Sequence, residues 1–153
     1  MKSDIVLPLP SKPGNPRNSE GSFITLNDGR ILFAYSRYTG DSWSDHAKAD
    51  IAARVSTDNG ITWSEDDRII VANEGDCNVM SVSFLRLQDG RIALFYMQKN
   101  STLDCRMRLR TSTDEGETWS NATLCNPTMG YFVTNNDRIV QLASGRLIAP
   151  AAY

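Results

Sequence analysis

Ser56-Thr57-Asp58-Asn59-Gly60-Ile61-Thr62-Trp63 returns 56 residues later as Ser112-Thr113-Asp114-Glu115-Gly116-Glu117-Thr118-Trp119. Six of the eight positions are identical, leaving the pattern S-T-D-x-G-x-T-W. A pattern of that length recurring at that separation marks one supersecondary unit used twice. The chemistry of the octapeptide is that of a tight hairpin. Its Asp accepts hydrogen bonds from backbone N–H groups of its own turn. Its Gly supplies the φ > 0 residue that closes the turn without a steric penalty. Its Trp lays an indole ring against the hairpin and ties it to the sheet behind. Ser56, Asp58, Gly60 and Trp63, with Ser112, Asp114, Gly116 and Trp119, are therefore read as structural.

Outward from the octapeptides, the same order of elements appears in two passes. In the first, Ser22–Leu26 and Ile31–Tyr38 alternate as strands around Asn27-Asp28-Gly29-Arg30, whose Asp-Gly pair signals a type I′ turn. A polar loop over 39–48 leads to a third strand at about Asp50–Val55, the octapeptide, and a fourth strand running roughly from Thr62 to Val71. The second pass has strands at Met80–Leu87, Ile92–Gln98 and Arg106–Thr111, the second octapeptide, and a fourth strand ending near Leu124. Here Met80, Phe84, Leu85, Phe95 and Tyr96 are candidate core. A third pass begins with Val133–Leu142, the turn Ala143-Ser144-Gly145-Arg146, and Leu147–Pro150. No helix is needed. Residues 1–16 carry Pro8, Pro10, Pro13 and Pro16 with little alternation and read as an extended lead-in.

S-x-D-x-G-x-T-W resembles the Asp-box, or BNR repeat, of the sialidase (neuraminidase) superfamily. That resemblance implies an all-β, sialidase-like β-propeller, six-bladed in the full protein. About two and a half four-stranded antiparallel blades are expected here: blade 1 over about 17–72, blade 2 over about 73–127, and the start of blade 3 over 128–153. Propellers close with about four to eight blades, so the chain is expected to be the N-terminal part of a longer protein. A short chain that closes its ring by oligomerising is the alternative.

In a meander blade the loops alternate between two ends. The repeated Gly-Arg turns and the octapeptides share one end. Arg30, Arg91 and Arg146 there read as surface or inter-blade ion pairs. The blade crossings and second-to-third-strand loops share the other end and repeat little, as binding loops on a rigid scaffold do. Arg17, Glu20, Arg37, Asp41, Asp45, His46, Glu74, Asp76, Asn78, Lys99, Tyr131, Asn136 and Arg138 all map to that end. Such a set suits a charged sugar. From it Arg37, His46, Glu74, Asp76, Asn78, Lys99, Asn136 and Arg138 are taken as candidate substrate-binding residues.

The resemblance implies two catalytic positions. Sialidases clamp the substrate carboxylate with an arginine triad, whose planar fork matches both oxygens. Arg17 occupies the place of the first, although the family's Arg-Ile-Pro reads Arg17-Asn18-Ser19 here. Their acid/base Asp lies on a loop of the same blade, matched by Asp45, which abuts His46 and precedes the third strand more closely than Asp41. As an acid it needs a raised pKa. The Tyr nucleophile, its Glu partner and two further arginines belong to later blades, so this stretch alone is expected to be inactive. The expected activity is acid/base-assisted, retaining cleavage of a terminal, acidic sugar. A non-catalytic Asp-box propeller that binds glycans or serves as a scaffold is the alternative.

Composition excludes other classes. The net charge of −2 over 153 residues offers no basic field for nucleic acid. No apolar run reaches the ~20 residues of a membrane span. Three cysteines, Cys77, Cys105 and Cys125, lack metal-type spacing. They are read as buried thiols, with a Cys77–Cys105 pair the alternative. No cofactor or metal is expected, and compartment and oligomeric state stay open.

Overall fold

The computed structural model describes residues 4–153; Met1–Ser3 of the extended lead-in lie outside the described residues. Ten strands and no helix occur among the described residues. Strands β1 (Asn18–Thr25), β2 (Ile31–Tyr38), β3 (Ala49–Ser56) and β4 (Arg68–Val71) form one antiparallel sheet in sequence order. Strands β5 (Asn78–Arg86), β6 (Ile92–Lys99), β7 (Cys105–Ser112) and β8 (Thr123–Leu124) form a second. A two-stranded hairpin, β9 (Val140–Gln141) and β10 (Leu147–Ile148), follows. These are two blades and the opening of a third.

Both octapeptides build the same hairpin. Ser56 Oγ donates to Asp58 Oδ1 at 2.9 Å and accepts from Gly60 N–H at 2.8 Å, while Thr62 N–H donates to Asp58 Oδ1 at 2.8 Å. The second copy gives 2.7, 2.8 and 2.9 Å for the equivalent bonds of Ser112, Gly116 and Thr118. Two successive residues of each turn are left-handed, Asn59 with Gly60 and Glu115 with Gly116. The aspartates are thus fully used as turn staples. The hydrogen bonds from Thr118 hold the Asp114 carboxyl down at about 2.

The hairpins between first and second strands differ from expectation. Gly29 N–H donates to the Leu26 carbonyl and Leu26 N–H to the Arg30 carbonyl, and of the turn residues Gly29 alone has φ > 0. That is a three-residue loop ending in a left-handed glycine bulge, not type I′, and Gly90 and Gly145 repeat it. In the first two of these turns the Asp28 and Asp89 carboxylates add a bond, each accepting from the backbone N–H two residues on.

Fourth strands are shorter than the alternation suggests. Before β4, Ser64 N–H reaches the Val55 carbonyl of β3, but the Ser64 and Glu65 carbonyls accept from Arg54 Nη1, so only one backbone bond there belongs to a ladder. The third-blade strands shrink to two residues each for want of a partner among the described residues.

Even-numbered residues of β2, Leu32 and Ala34, face Leu94 and Tyr96 of β6 across the first two blades, with Ile51, Val79, Val82, Phe84 and Ile92 filling the layer. A second core, built from Met80, Phe95, Met97, Cys105 and Met107, lies between blade 2 and the chain that opens blade 3. Leu85, expected in the core, is only partly buried. The cysteines are free: Cys105 is buried, Cys77 intermediate, and Cys125 exposed, contrary to the buried-thiol reading.

Candidate functional site

Register separates the two ends of the blades. Asn18 pairs with Arg37, and Tyr38 with Ala49, at one end; Thr25 pairs with Ile31, and Ile31 with Ser56, at the other. An eight-residue strand spans roughly 25 Å, so the staples at Asp58 and Asp114 lie far from Arg17. At the staple end the contacts are structural. Glu115 accepts from Arg86 and from Asn27 N–H, and Glu117 bridges Arg68 and Arg30, so blade 2's staple holds blade 1's turn. Arg91 pairs locally with Asp89.

The crossing end gathers a different set. Arg17 ion-pairs with the Asp45 carboxylate, donates to the Trp43 carbonyl at 3.4 Å, and lies 4.5 Å from the Tyr38 ring centre. That pairing lowers the Asp45 pKa, chiefly through the hydrogen bond from Arg17, so in the unliganded protein Asp45 is the ionised partner and not a raised acid. The Asp45 loop is fastened from behind. Asn78, fully buried, donates to the Asp45 and Ala47 carbonyls, both at 2.8 Å. Lys99, 3% exposed, donates to the Asp45 carbonyl at 2.9 Å and sits 5.5 Å from the Tyr131 ring centre. No carboxylate pairs with Lys99 among the described residues, which leaves a buried ammonium facing a cavity of about 150 Å³. The Glu20 and Asp45 carboxylates act on Lys99 only from beyond ion-pair distance; burying a cation without a close counter-ion is expensive, and an anionic ligand would supply one. Glu20, Asp45, Ser81, Lys99, Tyr131 and Asn135 are the polar lining; Met80, Met97 and Phe132 close the apolar side.

The remaining sequence candidates fall elsewhere. Arg37 pairs with Asp67 at 3.0 Å, on the face of blade 1 that also carries Phe33 and Tyr35. Glu74 accepts from Tyr96 Oη and, at 2.6 Å, from Arg110, a network that repeats Tyr35–Asp67–Arg54 of blade 1. These Tyr–carboxylate–Arg groups tie strands together. Burial and the Asp67 carboxylate push Tyr35 up to about 12. Asp76 offers its backbone carbonyl to Lys48. Asn136 donates to the Gly21 carbonyl at 2.8 Å, and Arg138 lines a neighbouring cavity that shares Val133 and Asn135 with the Lys99 pocket. Exposed His46 lies 6.4 Å from the Tyr131 ring centre, beside the pocket. Glu20 and Tyr131 line the pocket, though neither carries a motif that singles it out. Among the described residues no group of three His, Cys, Asp or Glu could hold a metal ion.

Residues 45–153 match the BNR repeat-like domain model. The chain belongs to this family. Two curated sialidases are similar to this BNR-repeat chain: one from Paraclostridium sordellii, 38% identical over 117 residues, and one from Clostridium perfringens, 36% over 113. The alignments take in 65% and 63% of this chain but 28% of each relative. Among solved structures, a Hadza microbial sialidase matches with a TM-score of 0.70 at 18% identity, over 89% of this chain and 32% of that one. The NanB sialidase of Streptococcus pneumoniae matches with a TM-score of 0.70 at 12% identity, over 97% and 43%. At those identities the structures establish the fold: the BNR-repeat chain is part of a sialidase-type β-propeller.

Proposed function

We propose that the protein carrying this chain is a sialidase-like glycoside hydrolase that cleaves a terminal acidic sugar, with its substrate entering at the crossing end. One observation carries the reading: one pocket is lined both by Asp45, the exposed carboxylate that Arg17 pairs with, and by Lys99, a buried ammonium with no carboxylate within ion-pair distance among the described residues. Arg17 receives the sugar carboxylate, and Lys99 adds a second positive charge behind it. Both suit an anion, and the guanidinium fork adds directional fit.

In this reading the ligand carboxylate competes with Asp45 for Arg17. The hydrogen bond from Arg17 is the largest cause of the low Asp45 pKa. Losing that bond raises it, so Asp45 can take up a proton when substrate is bound. The proton then passes from the Asp45 carboxyl to the glycosidic oxygen as the bond from that oxygen to the anomeric carbon breaks. The bonding electrons stay on the leaving oxygen. By family resemblance the anomeric carbon is taken by a Tyr nucleophile from a later blade, giving retention after water attacks.

A second reading, a glycan-binding propeller without catalysis, is favoured by the ionised state of Asp45 beside Arg17, which can accept hydrogen bonds but has no proton to give. The test is turnover of a fluorogenic sialoside by the full-length protein beside Arg17→Ala and Asp45→Asn. Losing general-acid catalysis lowers kcat by about 100- to 10,000-fold. Unchanged turnover in both variants removes the site, and binding without turnover by the unaltered protein selects the second reading.

A further inference from the structure

The first strands of both blades are interrupted at the same place. In β1 the register slips between Ser19 and Ser22, and in β5 between Met80 and Ser83. The bulged residues are Glu20 and Ser81, each left-handed at φ 56°. A left-handed conformation is costly for any residue with a side chain, and Gly or Asn bears it best. Ser81 shows that the bulge does not require a carboxylate. Yet blade 1 puts Glu20 there, half-buried and lining the same cavity as Asp45 and Lys99. Its hydrogen-bonding is thin: Ser36 Oγ approaches Glu20 Oε2 at only 3.5 Å. The backbone needs a bulge there and the core needs no acid, so the carboxyl is left to face the ligand.

We propose that Glu20 is a further ligand-binding residue of this pocket, its carboxyl donating a hydrogen bond to an oxygen of the bound acidic sugar. This rests on the acidic-sugar reading above and adds a second, opposite role to the two carboxyls of the site. Asp45 is the ionised partner of Arg17 until the ligand displaces it, and Glu20 is the donor to the bound ligand. Burial is the largest influence on Glu20 and raises its pKa. Arg17, the Ser81 N–H and Lys99 pull the other way, Asp45 reinforces the rise, and the rise prevails. An arriving carboxylate adds a like charge and favours the neutral form further. Ligand binding therefore takes up a proton wherever Glu20 is ionised in the free protein. Tyr131 and Cys105 also line the cavity, and His46 stands beside it.

The experiment measures the affinity of the full-length protein for 2,3-didehydro-N-acetylneuraminic acid by titration calorimetry between about pH 5 and pH 8, with Glu20 followed by carboxyl NMR in the unliganded protein. The proposal expects Kd to rise with pH, approaching roughly tenfold per pH unit for one linked proton. Glu20→Gln, which keeps a neutral donor, removes Glu20's share of that slope, leaves the share of Asp45 that Asp45→Asn removes, and binds more tightly than the unaltered protein at the upper end. Glu20→Ala binds more weakly throughout the range at which Glu20 is neutral. His46→Gln retains the slope; a slope that vanishes with His46 instead overturns the proposal. So does a Glu20 carboxyl that titrates at or below the ordinary glutamate range. No binding by the unaltered protein sinks the acidic-sugar reading and this inference with it, whereas binding with a slope that Glu20→Gln leaves unchanged, in the Asp45→Asn background as well, sinks this inference alone.

Discussion

The two staples permit a controlled comparison of what pins the blades together. Gly60 and Gly116 occupy the same turn position at φ +83° and +82°. A Cβ at Gly60 would meet Trp63 Cζ2 at 3.8 Å and Ile31 Cδ1 at 3.9 Å, ordinary contact distances. A Cβ at Gly116 would stand 3.0 Å from Leu32 Cδ2, and Leu32 is fully buried between the blades. Both alanine variants pay the left-handed penalty of about 1–2 kcal/mol. Gly116→Ala adds the cost of overpacking a filled core, about 1–3 kcal/mol. With a urea m-value of about 2 kcal/mol/M, its midpoint falls about 0.5–1.5 M below that of Gly60→Ala. Leu32→Val combined with Gly116→Ala recovers part of the loss relative to the sum of the single changes, because the two side chains compete for one space. Equal midpoints for the two glycine variants, or strict additivity in the double variant, would refute the claim that the second staple is pressed into the inter-blade core.

Other consequences are open to measurement. The Asp114 carboxyl is held at about 2 by Thr118, below the ordinary ~3.9; a depressed folded pKa stabilises above the unfolded value and is lost as pH falls through the folded one. Urea midpoints should therefore drop between about pH 4 and pH 2, and Asp114→Asn should flatten the part of that drop due to this group. Ser22 Oγ accepts from Phe84 N–H at 2.9 Å and donates to Asp137 at 3.0 Å, joining all three blades. Ser22→Ala leaves a buried N–H unpaired and should cost about 1–3 kcal/mol by denaturant unfolding. Lys99→Met removes a buried ammonium that lacks a carboxylate partner, so stability should hold within about 1 kcal/mol or rise. The same change should raise KM for an acidic substrate at least tenfold, the ~1.4 kcal/mol expected for one lost charged contact.

Much of the fold was legible because one short motif repeats. S-T-D-x-G-x-T-W names its own hydrogen bonds, and the alternation of Leu32 and Ala34 with Phe33 and Tyr35 separates two blade faces. Turn geometry was not legible from Asp-Gly alone: Asp28 spends its carboxylate on the Arg30 N–H, which no dipeptide rule anticipates. Topology correctly sent Arg17, Asp45, Asn78 and Lys99 to one end. It could not say which way each side chain faces, and β-strand parity turns Arg37 onto the Tyr35 face, where Asp67 holds it. The contacts of Glu74 were hidden for a related reason, since its partners Tyr96 and Arg110 are brought near by sheet pairing and not by sequence. Glu20 gave one faint signal: it fills the position that Ser81 takes in the second pass, but only coordinates reveal the bulge that turns both inward.

The central claim is a division of labour, in which one end of the blades fastens and the other receives a ligand. Turnover per folded molecule, measured on a fluorogenic sialoside with full-length protein, tests it most directly. Arg17→Ala and Asp45→Asn should lose at least 100-fold in turnover while stability changes by no more than about 1 kcal/mol, as for an exposed ion pair. Asp58→Asn and Asp114→Asn should lose stability and keep turnover. The reverse pattern, staple variants inactive though folded and Arg17 and Asp45 variants fully active, would contradict it.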